Sequence, residues 1–135
     1  MSVDQRVEPA WLDKVDAVAI HDRQLAEHGG GSGVRDAGLL DSALARPVNR
    51  WVYGDDDPAM LAAAYAFEVA RNHPFVDGNK RTAWVLARLF LALNGHELRF
   101  GAEDAIGMML DLASGALAEE QVAEWFRSWL AVTRS

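Results

Sequence analysis

Residues 73–95 read HPFVDGNKRTAWVLARLFLALNG, a polar loop that contains glycine followed by a long apolar run. The proline at the second position disfavours helical geometry at His73, so a preceding helix must end there and a loop must begin. The next helix starts near Asn79 or Lys80, is apolar on nearly every side beyond its first turn, and stops at residues 94–95, Asn-Gly. A helix of this kind is normally surrounded by others, so we expect it at the centre of a helical bundle.

Helical periodicity also dominates the rest of the chain, without a long alternating strand or an internal repeat. At 135 residues the chain fits one domain, since a chain of this length buries roughly two-thirds of the surface that its unfolded form exposes. We therefore expect an all-α, single-domain bundle of about six helices over residues 1–135. Asp36 and Asp57 are the predicted N-caps of the second and third helices, with Pro58 at the first helical position of the third. The remaining predicted helices cover residues 9–27, 36–47, 58–72, 102–113 and 118–132.

Two connecting segments stand out between these helices. Residues 29–33, GGGSG, have the composition of a flexible connector. Pro47 should end the second helix, because proline removes a backbone donor and clashes with the preceding turn. Residues 48–54, VNRWVYG, then form the only segment with strand-like character and could fold as a short hairpin or flap.

The overall composition excludes several classes of protein. Half of the residues are hydrophobic and 24% are charged, which is ordinary for a globular domain. No stretch approaches the roughly 20 apolar residues of a membrane span, and no signal-peptide pattern opens the chain, so we expect a cytoplasmic protein without a membrane partner. The absence of cysteine excludes disulfides, metal–thiolate sites and a thiol nucleophile.

The charge of the chain is unevenly distributed. A net charge of −7 argues against direct binding to nucleic acid, which usually needs a basic face. Residues 71–99 nevertheless hold five basic and two acidic residues, so this segment carries +3 and the remainder −10. Chance clustering would give the same pattern, but such a local field concentrates anionic ligands, and we expect an anion site here.

The loop before the long apolar helix contains the groups that phosphate chemistry needs. Gly78 allows the backbone to approach a ligand closely, and the N-terminus of the following helix offers unpaired N–H groups with an effective charge of about +0.5. Lys80 and Arg81 add cations where a helix prefers anions, which suggests that a bound anion completes the site. Asn79 can hold a phosphate oxygen or cap the helix, while Arg71 can reach the anion or complement the end of its own helix.

His73 and Asp77 supply the candidate acid–base and metal chemistry. Asp77 is the one carboxylate among these basic groups and is a suitable ligand for Mg²⁺, which takes its other ligands from water and phosphate. His73 is the only good candidate for a general base near the site. Considered singly, both have structural alternatives: residues 77–79 could be a plain turn and cap, and a histidine before proline is more often structural.

Two further residues are assigned structural roles. A second histidine follows His21 by seven residues on the first helix, so the two could share a face. A pair of metal ligands on a helix normally uses a four-residue spacing and a third ligand, so we interpret His21 as a surface or core residue. Arg88 lies about 10 Å beyond Arg81 along the same helix face. We therefore interpret Arg88 as structural and predict that it pairs with Glu68 or Asp111.

Residues 73–83, HPFVDGNKRTA, resemble the signature of the Fic/Doc superfamily. Similarity to the Doc (death-on-curing) toxins of toxin–antitoxin pairs extends over residues 10–131. Its motifs include IHD at residues 20–22, the glycine-rich turn, DSAL at 41–44 and LNGH at 93–96. Lys80 stands where Fic enzymes usually carry glycine, and Trp84 stands where they carry a second arginine; both departures are toward Doc. Gly78, where Doc tends to have alanine, is a Fic-like feature.

The resemblance implies a protein serine/threonine kinase-type phosphotransferase. The ATP γ-phosphate would pass to a hydroxyl of a translation protein, a threonine of elongation factor Tu, and translation would stop. His73 would deprotonate that hydroxyl and Asp77 would help to bind Mg²⁺. The residues that hold the transferring phosphates would be Asn79, Lys80 and Arg81.

The resemblance also implies partners and leaves two alternatives open. A Phd-like antitoxin would neutralise the protein, and residues 48–54 would be the flap that aligns the target by edge pairing. One alternative is Fic-type transfer of AMP or another nucleotide to a protein hydroxyl, and the other is a non-catalytic helical binding module.

Overall fold

A computed structural model gives the fold of residues 6–130, the part of the chain described below. This part contains six helices: α1 Lys14–His28, α2 Ala37–Val52, α3 Pro58–Asn72, α4 Asn79–Leu93, α5 Ala102–Ser114 and α6 Glu119–Trp129. Its strand-like pairing is limited to two isolated antiparallel bridges, Val34 with Phe75 and Leu98 with Leu130. The predicted all-α bundle of about six helices is confirmed. The last helix ends at Trp129 and Leu130 is extended, so its predicted continuation to residue 132, which itself lies outside the described residues, is wrong. None of these six helices is long and apolar enough to cross a membrane.

Local capping signals place the ends of several helices correctly. Asp57 accepts a hydrogen bond from the Ala59 N–H at 3.0 Å and caps α3, with Pro58 in the first turn as predicted. Asp36 caps α2 in the same way, accepting from the Leu39 N–H at 3.0 Å. Each of these signals operates over two or three residues, which explains why the sequence alone reveals them.

Helix α1 begins at Lys14, so the predicted start near residue 9 is wrong. A reciprocal capping box sets the true start: Asp13 accepts from the Asp16 N–H at 3.0 Å, and the Asp16 carboxylate accepts from the Asp13 N–H at 2.9 Å. The preceding residues are tied to the end of α4 instead, where the Ala10 N–H donates to Asn94 Oδ1 at 2.8 Å.

Helix α2 continues past Pro47, so the predicted helix end at Pro47 and the predicted hairpin or flap at residues 48–54 are wrong. An interior proline removes one helical hydrogen bond and costs about 3 kcal/mol or more in an exposed helix. Here Leu40, Ala43 and Pro47 lie on one face and are buried, and α2 packs along α3. Trp51, one turn further on, packs against the same core. Burial of a continuous face therefore offsets the missing bond.

The centre of the bundle is α3, so the prediction that the α4 run is the central apolar helix is wrong. Helix α3 contacts α2, α4, α5 and α6, and ten of its 15 residues are buried. Six of those ten are alanines, which are small and only weakly apolar, so α3 is inconspicuous in the sequence. Helix α4 has more large apolar side chains than α3 but exposes Leu89 and Leu93 by 40% and 52%.

Candidate active site

An open cavity of about 400 Å³ lies where the C-terminus of α3 approaches the N-terminus of α4. Ala70 of α3, Val76 of the loop and Ala113 of α5 complete its wall. Six of the seven predicted site residues line this cavity: His73, Asp77, Gly78, Asn79, Lys80 and Arg81. Arg71 is not among the lining residues; its guanidinium lies over the ring of Phe67, 5.0 Å from the ring centre.

His73 ends α3 in a left-handed backbone conformation, with φ 50° and ψ 61°. It is the one non-glycine residue with positive φ in the described part of the chain. This conformation costs on the order of 1–2 kcal/mol for an L-residue and persists only where surrounding contacts impose it. The His73 side chain is exposed at the cavity, so the imidazole is accessible to a substrate as a base must be.

The glycine-rich segment, residues 29–36, lies against the site loop and is not a free connector. The Gly31 N–H donates to Asp77 Oδ2 at 2.9 Å. The Val76 N–H donates to the Gly33 carbonyl at 3.1 Å. The predicted flexible connector is therefore an ordered part of the site, and it fixes one oxygen of the candidate metal ligand.

Arg35 connects the glycine-rich segment to the end of α3. Its Nε donates to the His73 carbonyl and its Nη2 to the Asn72 carbonyl, both at 2.7 Å. The backbone N–H groups of Arg35 and Asp36 both donate to the Pro74 carbonyl, at 2.7 and 3.0 Å. Three consecutive carbonyls around the candidate base are thus bound from one short segment.

His21 supports the site loop from the core. The residue is 1% exposed, and its ring stacks on Phe75 with ring centres 4.0 Å apart. Its Nε2 lies 2.7 Å from the Asp77 carbonyl oxygen, and since a carbonyl can only accept, Nε2 carries the proton in this contact. Of the two structural roles considered for His21, surface or core, the structure shows the core role.

The first turn of α4 is open to an anion. Gly78, the N-cap, has φ 75° and provides no side chain to bind the N–H groups of that turn. A Cβ at Gly78 would lie 3.8 Å from the His21 ring, an ordinary contact, so the backbone conformation and not space calls for glycine. Lys80 and Arg81 are exposed and form no ion pair with any residue between 6 and 130. Two unneutralised cations therefore flank a helix N-terminus.

Asn79 uses its side chain to close the loop. Its Oδ1 accepts from the Phe75 N–H at 2.9 Å, and its Nδ2 donates to the Phe75 carbonyl at 3.0 Å. An amide nitrogen has two donors, so one N–H of Nδ2 remains for a phosphate oxygen. Loop closure is the role that the geometry gives Asn79, and phosphate binding stays a prediction.

Asp77 has the chemistry and the exposure of a magnesium ligand. The described part of the chain contains no cluster of three or more His, Asp or Glu side chains able to hold a metal ion by themselves. The Asp77 side chain is exposed and lines the cavity, with Oδ2 bound to Gly31 and Oδ1 available. Mg²⁺ is commonly bound by one or two carboxylates together with water and phosphate oxygens, so a single carboxylate is sufficient.

Trp84 and Arg88 belong to an aromatic cluster further along α4. Trp84 packs edge-on against Phe100 with ring centres 5.1 Å apart, and Arg88 lies over both rings. Arg88 forms no ion pair with a described residue, so the predicted pairing with Glu68 or Asp111 is wrong. Its structural assignment agrees with this packing.

Sequence reasoning missed the roles of His21 and Arg35. His21 follows the buried Ala17 by four residues on α1, and a histidine on the core face of a helix must hydrogen-bond a polar group of some neighbour. That signal was available, although it does not identify the Asp77 carbonyl as the partner. Arg35 has no comparable local signal, because the carbonyls that it binds lie 37 and 38 residues further along the chain.

Comparison with known proteins gives a family and two relatives. The sequence model of the Fic/DOC family matches residues 11–91, which include the glycine-rich segment, the site loop and most of α4. "Toxin Doc" of Mycolicibacterium smegmatis is 48% identical over 91 residues, which cover 64% of this chain and 69% of that protein. "Protein kinase doc" of Escherichia phage P1 is 32% identical over 111 residues, which cover 82% of this chain and 87% of that protein. The chain therefore belongs to the Fic/Doc family.

Proposed function

We propose that this chain is a toxin of the Fic/Doc kind that transfers the γ-phosphate of ATP to a hydroxyl of a translation protein. The observation that carries the proposal is the cavity at residues 73–81, where two cations, an open helix N-terminus, one carboxylate and one exposed imidazole converge. The names of the two relatives, a toxin and a protein kinase, support the reaction class. A threonine of elongation factor Tu is the proposed acceptor, and a cytoplasmic location follows from such a target.

Each part of the cavity has a task in phosphoryl transfer. Phosphoryl transfer depends mainly on positioning the phosphate and on neutralising its charge. Lys80, Arg81 and the N–H groups at the start of α4 do both. Mg²⁺ bound at Asp77 would supply further positive charge to the phosphates. His73 accepts the proton of the target hydroxyl as that oxygen attacks the γ-phosphorus, the bond from this phosphorus to the bridging oxygen breaks, and ADP leaves. A positioned base contributes about 10² to 10⁴ in rate.

Two features favour γ-phosphate transfer over transfer of AMP. Trp84, at the position where the resemblance to Fic enzymes would place a second phosphate-binding arginine, packs in the aromatic cluster of α4 and offers no cation. Gly78 gives little support to nucleotide transfer, because its left-handed backbone already accounts for a glycine there. Lys80 instead adds a compact charge in the first turn of α4.

Labelled ATP tests the reaction directly. Purified protein, Mg²⁺ and a translation extract are incubated with ATP labelled at the α or at the γ phosphate, beside His73→Ala and the surface variant Arg23→Ala. We expect the γ label to enter a protein with the mass of elongation factor Tu in the wild type and in Arg23→Ala only. Entry of the α label would establish nucleotide transfer instead. Growth inhibition that survives His73→Ala, with neither label transferred, would establish a non-catalytic module.

A cognate Phd-like antitoxin is the proposed partner. Co-expression with the product of a small adjacent reading frame should restore growth and form a complex that elutes together in gel filtration. Growth arrest that no adjacent product relieves would contradict this part of the proposal.

A further inference from the structure

We propose that Arg35 is a positioning residue, which holds the His73 peptide in its left-handed conformation and so aims the imidazole at the substrate. Losing Arg35 should lower turnover and leave the affinity for ATP unchanged. The inference rests on the proposed function in one respect, namely that His73 acts as the base.

The guanidinium of Arg35 matches the end of α3 in shape and charge. Its Nε and Nη2 donate to the carbonyls of His73 and Asn72, both at 2.7 Å, so one planar group binds two successive peptide units. These carbonyls lie at the negative end of the α3 dipole, where a cation is favourable. A lysine has a single ammonium group and cannot reproduce this two-point geometry.

His73 has an alternative conformation that it would adopt if released. The residue before a proline favours extended backbone, and His73 precedes Pro74. Its observed φ of 50° is therefore disfavoured both by its side chain and by the following ring. In its own helix the His73 N–H is bound to the Val69 carbonyl at 3.2 Å, and the backbone N–H groups of residues 35–36 hold the Pro74 carbonyl. The two side-chain bonds from Arg35 act on the carbonyls on either side of His73 Cα and so favour the left-handed conformation directly.

Arg35 lies outside the phosphate-binding part of the site. The residue does not line the cavity that holds Lys80 and Arg81. Its backbone N–H is also engaged, since it donates to the Pro74 carbonyl at 2.7 Å. A role through His73 therefore predicts a change in kcat, whereas direct contact with the nucleotide would change KM.

The first test separates kcat from KM. We expect Arg35→Ala to lower kcat by about 10²-fold, the loss typical of a misplaced reacting group, with KM for ATP within about twofold of the wild type. The kcat of Arg35→Lys should lie between those of the wild type and Arg35→Ala. Added guanidinium ion should restore part of the activity of Arg35→Ala. Arg23→Ala, which removes an exposed arginine that pairs with Glu27 on α1, is the matched control. A raised KM with unchanged kcat would overturn the inference.

A double-mutant comparison shows whether Arg35 acts through the base. In a His73→Ala background the added Arg35→Ala change should cost less than about twofold, because the group that Arg35 positions is gone. Two losses that multiply would instead show that Arg35 acts on the substrate independently, and the inference would fail.

Two further readouts separate this inference from the proposed function. Activity is followed with both α- and γ-labelled ATP. The effect of Arg35→Ala can therefore be measured even if the protein transfers a nucleotide and not the γ-phosphate. If the wild type transfers neither label, the proposed function fails, and amide exchange decides the inference alone. Arg35→Ala should then speed exchange of the Val76 N–H, which is bound to the Gly33 carbonyl. An unchanged exchange rate would overturn it, and similar thermal midpoints for all variants would confirm that the fold is intact.

Discussion

His73 combines an exposed imidazole with a backbone conformation that glycine adopts more readily. We predict that His73→Gly is more stable than His73→Ala by about 1 kcal/mol, because alanine retains the cost of positive φ and glycine does not. Because both variants lack the imidazole, their transfer rate should fall by about 10²- to 10⁴-fold. Urea unfolding and the labelled-ATP assay measure the two effects. Equal stability of the two variants would contradict the left-handed conformation of His73.

Glu68 makes the stability of the protein depend on pH. Burial raises the pKa of this carboxyl above its ordinary value of 4.5, and Arg46 opposes the shift without cancelling it. The folded protein thus binds the proton more tightly than the unfolded chain does. The contribution of Glu68 to stability is therefore greatest below the ordinary pKa and falls as pH rises through the raised value.

Replacing Glu68 with glutamine should remove this pH dependence. We predict that Glu68→Gln gains stability relative to the wild type between about pH 4 and about pH 7, because the glutamine has no charge to desolvate. The difference between urea midpoints at the two pH values measures the effect. If the wild type instead gained stability relative to Glu68→Gln as the pH rose over this range, attraction to Arg46 would outweigh the effect of burial on the Glu68 pKa.

At the scale of elements, a partly buried ion pair fixes α6 to α2. Arg46 donates to both carboxylate oxygens of Glu119, at 2.7 and 3.2 Å, and the Glu119 side chain is 6% exposed. Arg50 lies 3.6 Å from the same carboxylate. Removing one partner of a fully buried pair costs about 3–5 kcal/mol, and less here because the Arg46 side chain is 45% exposed and can be hydrated.

The neighbouring glutamate offers a matched control for this ion pair. We predict that Glu119→Ala lowers the free energy of unfolding by about 2 kcal/mol. Glu120→Ala, in the same first turn of α6 but exposed, should cost at most about 0.5 kcal/mol, since it loses only its interaction with the helix dipole. Urea unfolding of both variants checks the prediction, and equal losses would mean that the dipole accounts for the whole effect.

Across the whole molecule, the features predicted from sequence are those that short-range chemistry determines. The caps at Asp36 and Asp57 act over two or three residues, and they were predicted correctly. The order of the glycine-rich segment depends on Asp77, 46 residues away from Gly31, and no local pattern reveals that bond. Helix α2 likewise continues past Pro47 because its face is buried against α3, and a rule about one proline does not include that burial. The composition of the cavity was therefore predictable, whereas the long-range hydrogen bonds that support it were not.

The distribution of charge over the molecule leads to a last prediction. The chain carries −7 overall but +3 within residues 71–99, so a nucleotide is repelled by most of the surface and attracted by the cavity. Lys80→Gln, Arg81→Gln and Arg23→Gln lower the net charge by the same single unit. If the overall field governed ATP affinity, the three variants would weaken binding alike. Since each lost hydrogen bond to a charged group is worth about 1.5–3 kcal/mol, we instead expect a roughly tenfold or larger rise in the Kd for Mg²⁺–ATP in the two cavity variants. Arg23→Gln should change this Kd less than about twofold.

Titration at low and high salt separates direct contact from long-range attraction, because the screening length falls to about 3 Å at about 1 M salt. A difference between cavity and surface variants that persists at high salt would place Lys80 and Arg81 in contact with the phosphates.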